Sequence, residues 1–415
     1  MSASDKSGQD AQIAVVENVY NVATGKVVAV GPGGKAGGAC EAGGACEAVA
    51  SRFWSPLVHS LSPYVPGEQV SDGELIKLNT NENPYPPSAA VIKAISQVIG
   101  SDGRGLRLYP DPTSLAVRQS AAKLQGLSVE QVFVGNGSDE VLAFVFQTLL
   151  NQPAKGPVYF PDISYSFYPS YCRLYGVAHK TLPLNDAFEV PLDSLDEGSP
   201  AVIFPNPNAP TGKALARAQI ESFLQSHPET MLVIDEAYVD FGAQSCIPLV
   251  QTYPNLLVTQ SLSKSRALAG MRVGLAFGHR DLIEALVRAK DSFNSYPVDR
   301  LAQAAAKAAL EDEVWLSQTV EKITASRDWL TSSLQQLGFQ VLPSKANFVF
   351  ARYMKESGKP RKDRSGAFFY QALKDNGVLV RQFNRPRIED FLRITVGSSS
   401  EVQAVVEALG RILKA

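Results

Sequence analysis

Met231-Leu232-Val233-Ile234-Asp235-Glu236-Ala237-Tyr238 is an apolar run that stops at two carboxylates and is followed closely by a tyrosine. Four consecutive apolar residues without polar alternation mark a strand buried on both faces, as in parallel sheets covered by helices. Working outward, similar runs stand at residues 201–204 and 158–161 on one side and at 256–259 and 273–277 on the other. Amphipathic stretches separate them, and this alternation from about residue 91 to residue 310 predicts an α/β domain with a mostly parallel sheet. Several of the runs end in polar or glycine-containing loops. Ligands of open α/β sheets bind beyond the carboxyl ends of the strands, so chemistry is expected in those loops.

After them comes a helical stretch at 316–337, then short runs at 340–342, 348–350, 378–380 and 392–395 that read as strands of a smaller α/β unit. The expected plan is a large domain over 91–310, a small C-terminal domain over 311–415, and an arm over 51–90 that joins the small domain. Residues 1–50 are rich in small side chains and contain the near-repeat Gly37-Gly38-Ala39-Cys40-Glu41-Ala42-Gly43-Gly44-Ala45-Cys46-Glu47-Ala48. Such composition buries too little apolar surface to offset ordering entropy, so a disordered, low-complexity extension is expected.

A net charge of -2 over 415 residues gives no global pull toward nucleic acid or an anionic membrane. The cysteines Cys40, Cys46, Cys172 and Cys246 have neither the number of a disulfide framework nor the spacing of a metal site. Reduced thiols and no metal are the expectation. No apolar run reaches the ~18 residues of a membrane span, and no basic-then-apolar leader follows Met1, so the cytoplasm is the expected compartment.

Chemistry concentrates in Ser261-Leu262-Ser263-Lys264-Ser265-Arg266-Ala267-Leu268-Ala269-Gly270-Met271-Arg272, directly after the run at 256–259. A lysine that forms an imine with an aldehyde must enter a cleft with a lowered pKa, which burial and cationic neighbours provide. Ser261, Ser263 and the planar fork of Arg272 suit a phosphate group. Taken alone, the segment also fits a solvated loop. Asp235, at the end of an apolar strand, suits a protonated ring nitrogen, although an aspartate there equally caps a helix. Tyr238 can donate to a ring oxygen or serve as a packed aromatic.

Gly135-Asn136-Gly137-Ser138-Asp139-Glu140 follows the run Val132-Phe133-Val134 and opens a helix. The free N–H groups of its first turn can take a phosphate, with Gly137 allowing close approach and Ser138 and Asp139 supplying the turn. An ordinary capped turn has the same appearance. In Ser164-Tyr165-Ser166-Phe167-Tyr168, Tyr165 is the aromatic best placed to cover a flat ring, with a core role as the alternative.

In this order, Asn81-Glu82-Asn83-Pro84-Tyr85-Pro86, Tyr109-Pro110-Asp111-Pro112, the Gly135 segment, Asp235-Glu236-Ala237-Tyr238, Ser261-Leu262-Ser263-Lys264 and Leu392-Arg393-Ile394-Thr395-Val396-Gly397 resemble one family. That family is histidinol-phosphate aminotransferase, among the fold-type I pyridoxal-phosphate transferases, and the resemblance runs from about Ser51 to Ala415. It implies that Lys264 joins the aldehyde of pyridoxal 5'-phosphate, that Asp235 pairs with the pyridine nitrogen, and that Tyr238 bonds the ring oxygen. It further implies that Ser261, Ser263, Arg272, Ser138 and Asp139 hold the cofactor phosphate. Tyr109 would reach that phosphate from the partner subunit of a homodimer. Arg393 would clamp a substrate carboxylate, while Tyr64, Asn81, Asn347 and Arg381 would shape the substrate site.

The implied reaction exchanges amino groups between histidinol phosphate and 2-oxoglutarate by a ping-pong route in histidine biosynthesis. One departure concerns Pro207-Asn208-Ala209-Pro210-Thr211-Gly212, where the family usually has asparagine next to the proline. Either Asn208 bonds the ring oxygen from one residue earlier or Tyr238 does so alone. An aromatic aminotransferase and a threonine-phosphate decarboxylase share most of these residues. A non-catalytic binding protein of the same fold is disfavoured by the presence of Lys264, Asp235 and Arg393 together and by the lack of a separate DNA-binding segment.

Overall fold

A computed structural model describes residues 17–21, 26–30, 52–61, 68, 75–195, 198–354 and 364–414. The chain forms two compact units, Met1–Pro66 and Gly67–Ala415. In the first, β1 (Glu17–Asn21) and β2 (Lys26–Val30) pair antiparallel, so part of the segment expected to lack structure is a hairpin. A short helix, Pro56–Ser60, follows. The repeat at 37–48, with Cys40 and Cys46, lies outside the described residues.

The second unit begins with β3 (Ile76–Lys77) and holds a seven-stranded sheet. Its strands in chain order are β4 (Val132–Gly135), β5 (Val158–Pro161), β6 (His179–Leu182), β7 (Ala201–Pro205), β8 (Met231–Asp235), β9 (Leu256–Ser261) and β10 (Gly274–Gly278), arranged β4-β10-β9-β8-β7-β5-β6. Neighbours from β9 to β6 run parallel, and β10 alone runs against its two neighbours. The sheet is therefore mostly parallel, as the unbroken apolar runs predict. Apart from the edge strand β6, its strands are buried on both faces. Leu232 and Ile234 pack into one apolar cluster and Val233 into another, and Leu256, Val258 and Leu257 divide in the same way. Side-chain alternation along a strand thus feeds two cores at once.

The β6 strand was not visible in the sequence because it carries the exposed His179, Lys180 and Thr181 at the sheet edge. Edge strands commonly carry polar residues, which hides them from an apolar-run search.

A long helix, Glu313–Gln336, leads into β11 (Phe339–Val341), β12 (Phe348–Tyr353), β13 (Val378–Leu379), β14 (Arg381–Gln382) and β15 (Leu392–Thr395). The order β11-β12-β15-β14 makes a four-stranded sheet, while β13 leaves it to pair parallel with β3. The strand expected at 378–380 is β13 over 378–379 only, and β14, which follows it directly, belongs to a different sheet. Among the described residues no helix is long and apolar enough to cross a membrane. Cys172 and Cys246 are buried free thiols, and burial pushes the Cys172 thiol up to about 12.

Candidate active site

The register of the large sheet brings its chemistry to one edge. Pro205 lies beside Asp235, Asp235 beside Thr259, and Gly274 beside both Ser261 and Gly135. The loops leaving this edge line a cleft of about 310 Å³. Lys264, Asp235, Tyr238, Ser138, Asp139, Tyr165, Ser261, Ser263 and Arg272 all face it, far apart in sequence but collected by strand order. Thr80, Glu82, Pro205, Ala209, Ala237 and Ala269 complete the wall, and of these Thr80 and Pro205 belong to none of the sequence motifs.

Lys264 donates from Nζ to the Thr80 carbonyl at 3.1 Å. Withdrawal from water, followed by the nearby Arg393 cation, brings its ammonium from the ordinary 10.5 down to about 8. The loop is held from outside by Asn83, whose Nδ2 donates to the carbonyls of Lys264 and Ser265 at 3.0 and 3.2 Å.

Asp235 is buried, and desolvation pushes its carboxyl up to about 6 against the bonds that favour the anion. Those bonds come from the Ala237 N–H at 3.2 Å and from the hydroxyls of Thr259 and Tyr168, each at 3.4 Å. Thr259 is a β9 residue with no motif to mark it. Tyr168 lies three residues after Tyr165 in the same aromatic segment. Both tyrosines serve the site in different ways, since Tyr165 donates to Asp139 Oδ1 at 2.7 Å and lines the cleft.

Arg272 reaches Asp139 Oδ2 with Nη2 at 3.0 Å from a left-handed backbone conformation (φ 52). Its guanidinium fills the space over Gly137, where an added Cβ would come within 2.6 Å of Nη2 and where φ is +81. Gly274 presses on the same helix start, because a Cβ there would lie 2.5 Å from both the Gly137 carbonyl carbon and the Ser138 nitrogen. Backbone atoms cannot swing aside as a side chain can. Gly274→Ala is therefore expected to destabilise the fold by about 1–3 kcal/mol and to weaken phosphate binding at Ser138. Thermal melting and equilibrium dialysis against the phosphate ligand check the two parts separately.

Behind Tyr238 lies a bonded layer. Asn81, at φ 58, donates from Nδ2 to the Tyr238 hydroxyl at 3.0 Å, and its carbonyl accepts from Asn347 Nδ2 at 3.0 Å. Arg393 donates to the Asn79 carbonyl at 2.8 Å, its guanidinium lying over Phe348, which packs edge-on against Tyr238.

Asn208 is not brought to the cleft. Its Nδ2 is spent on the Ile163 carbonyl at 2.9 Å and the Thr211 hydroxyl at 3.1 Å, and Ala209 faces the cleft instead. Consecutive residues of a loop aim different ways, so Tyr238 is left as the hydroxyl on that wall. Tyr109 also lies away from its own chain's cleft. It is 77% exposed, stacks on Tyr296 at 4.7 Å, and its carbonyl accepts from Arg300. Arg381 stands on the small sheet against Phe383 rather than in the cleft wall. Tyr64 lies outside the described residues.

The class I and II aminotransferase family model matches residues 73–409. Over 363 residues the chain is 55% identical to histidinol-phosphate aminotransferase 1 of Bradyrhizobium diazoefficiens, a match covering 88% of this chain and 100% of that one. It is 54% identical to the histidinol-phosphate aminotransferase of Gluconacetobacter diazotrophicus, covering 88% and 98%. Among solved structures, histidinol-phosphate aminotransferase from Sinorhizobium meliloti in complex with pyridoxal-5'-phosphate matches with a TM-score of 0.77 at 25% identity, covering 88% of this chain and 99% of that one. With the cleft residues assembled at the strand ends and relatives matched over nearly their whole length, the chain belongs to the class I and II aminotransferases and, within them, to the histidinol-phosphate aminotransferase family.

Proposed function

We propose that this protein transfers the amino group of histidinol phosphate to 2-oxoglutarate, yielding imidazole-acetol phosphate and glutamate, with pyridoxal 5'-phosphate as cofactor. The observation that carries this is one cleft holding an amine of lowered pKa, a buried carboxylate, and a hydroxyl and guanidinium set at a helix start. These donors fit the cofactor group by group. Lys264 answers its aldehyde, Asp235 its pyridine nitrogen, and Ser138, Ser261, Ser263 and Arg272 its phosphate, with Gly137 leaving the room that Arg272 fills.

When bound, pyridoxal phosphate supplies an aldehyde for the amino group and a ring that accepts the electron pair left by the α-proton. The amine of Lys264, neutral in a substantial fraction near pH 8, takes that proton at Nζ and returns it. Asp235, shielded from water, keeps a negative charge opposite the ring nitrogen. Tyr238, fixed by Asn81, offers its hydroxyl to the ring oxygen. Arg393 binds the substrate carboxylate through its planar fork, and Asn347 holds the Asn81 backbone beside it.

The same proposal includes a homodimer in the cytoplasm. Support for the dimer is Tyr109, whose exposed ring stacks on Tyr296 while its backbone carbonyl accepts from Arg300, outside its own cleft, as suits a residue that serves a partner's site.

Initial rates on histidinol phosphate, phenylalanine and threonine phosphate test the substrate. Histidinol phosphate is expected to exceed phenylalanine by at least about 10² in kcat/KM, since a site built for a polar group rejects an analogue lacking it. Equal or faster turnover of phenylalanine would identify an aromatic aminotransferase instead, and carbon dioxide release from threonine phosphate would identify a decarboxylase.

A further inference from the structure

The face of the small sheet that carries Arg393 has an arrangement that cross-strand energetics disfavour. Arg381 on β14 is directly opposite Arg393 on β15, so two like charges share one face of the sheet. Phe350 on β12 is opposite Arg393, and Phe348 is opposite Thr395, which places both phenylalanines on that face as well. Phe383, two residues beyond Arg381, brings its ring centroid within 5.7 Å of the Arg381 guanidinium carbon and 5.5 Å of that of Arg393. The ring packs edge-on against Phe350 at 6.2 Å, which fixes it from behind. A single half-buried aromatic ring is therefore shared by both cations.

We infer that Phe383 is a specificity-determining positioning residue, its ring holding Arg381 and Arg393 side by side so that together they receive a doubly charged phosphate end. The negative face of an aromatic ring attracts guanidinium groups and offsets part of their mutual repulsion before any anion arrives. When a phosphate monoester binds, its charge replaces that role and is met by two forks already in place. A single carboxylate needs only one of them. Phe383 itself touches neither cofactor nor reacting atoms and acts through the two arginines. This deepens the assignment of histidinol phosphate as substrate and rests on it.

The test uses cofactor-loaded protein with methyl phosphate as probe, alongside steady-state kinetics on histidinol phosphate. Phe383→Leu keeps apolar bulk but loses the ring, whereas Phe383→Tyr keeps the ring. Calorimetry is expected to show methyl phosphate bound about tenfold more weakly by Phe383→Leu and with nearly unchanged affinity by Phe383→Tyr. KM for histidinol phosphate should rise by about the same factor in Phe383→Leu while kcat stays within about twofold. Phe383→Met repeats the comparison if the leucine variant does not fold. Unchanged methyl phosphate binding in Phe383→Leu, or an equal loss in Phe383→Tyr, overturns the inference. Failure of the unmutated enzyme to use histidinol phosphate would refute the substrate assignment alone, with methyl phosphate binding still deciding the role of Phe383.

Discussion

Lys264→Ala is expected to lower turnover of histidinol phosphate by at least about 10⁴-fold, because it removes both the nucleophilic amine and the positioned base. Borohydride treatment of the unmutated, cofactor-loaded protein should fix the pyridoxyl label on Lys264 alone, as read by peptide mass spectrometry. A label on another lysine would show that the assignment is wrong. Stability separates this from a general loss of fold. The folded ammonium has a pKa of about 8 against an ordinary 10.5, so the unfolded chain binds more protons between those values. Below about pH 8 both states are charged, and the folded cofactor-free protein bears the full penalty of burying the cation. As pH rises through 8 toward 10.5 that penalty disappears. Cofactor-free Lys264→Ala should therefore melt no lower than the unmutated protein at pH 7, and any advantage should fade above pH 10.5.

The second large effect belongs to Asp235. Asp235→Asn keeps the size of the side chain but removes the buried charge. Loss of one partner of a buried ion pair is worth roughly 3–5 kcal/mol, and if that loss falls on the transition state, turnover drops by about 10²–10³ or more. Pyridoxal phosphate retention in equilibrium dialysis should fall as well. In the cofactor-free protein the sign reverses. Burial raises the folded pKa from 3.8 to about 6, so the unfolded state releases its proton first as pH rises. The aspartate thus lowers stability progressively from pH 3.8 upward, with its full effect above about 6. Cofactor-free Asp235→Asn should melt higher than the unmutated protein at pH 7.5 and the same at pH 3.5. A variant that melts lower at pH 7.5 while keeping normal turnover would assign Asp235 to folding and remove it from the site.

Much of the site was legible from local sequence, and for a physical reason. A parallel sheet buried on both faces needs unbroken apolar strands, and its open crevice lies where those strands end. Hence Asp235 and the Lys264 segment announced themselves as polar groups at the ends of apolar runs. The motif beginning at Asn81 and the helix start at Gly137 added their spacing, and the resemblance supplied roles that spacing alone did not. The direction of a side chain within a loop was not legible, because it depends on what packs behind it. Asn208 turned toward Ile163 and Thr211, and only the packed loop shows Ala209 facing the cleft in its place.

Long-range partners were hidden for a related reason. Thr80 meets Lys264 across 184 positions and Thr259 meets Asp235 across 24, each in a register that no local pattern encodes. The pairing of Arg381 with Arg393, and with it the exposure of Phe383 to both, arose only when β14 joined β15 and β13 departed to β3. The amino-acid sequence by itself determined which segments are buried strands and which carry amine, carboxylate and hydroxyl groups, since burial and chemistry are properties of residue types and their order. Tertiary structure alone decided which of those groups face one another, since strand register and loop packing join residues far apart in the chain.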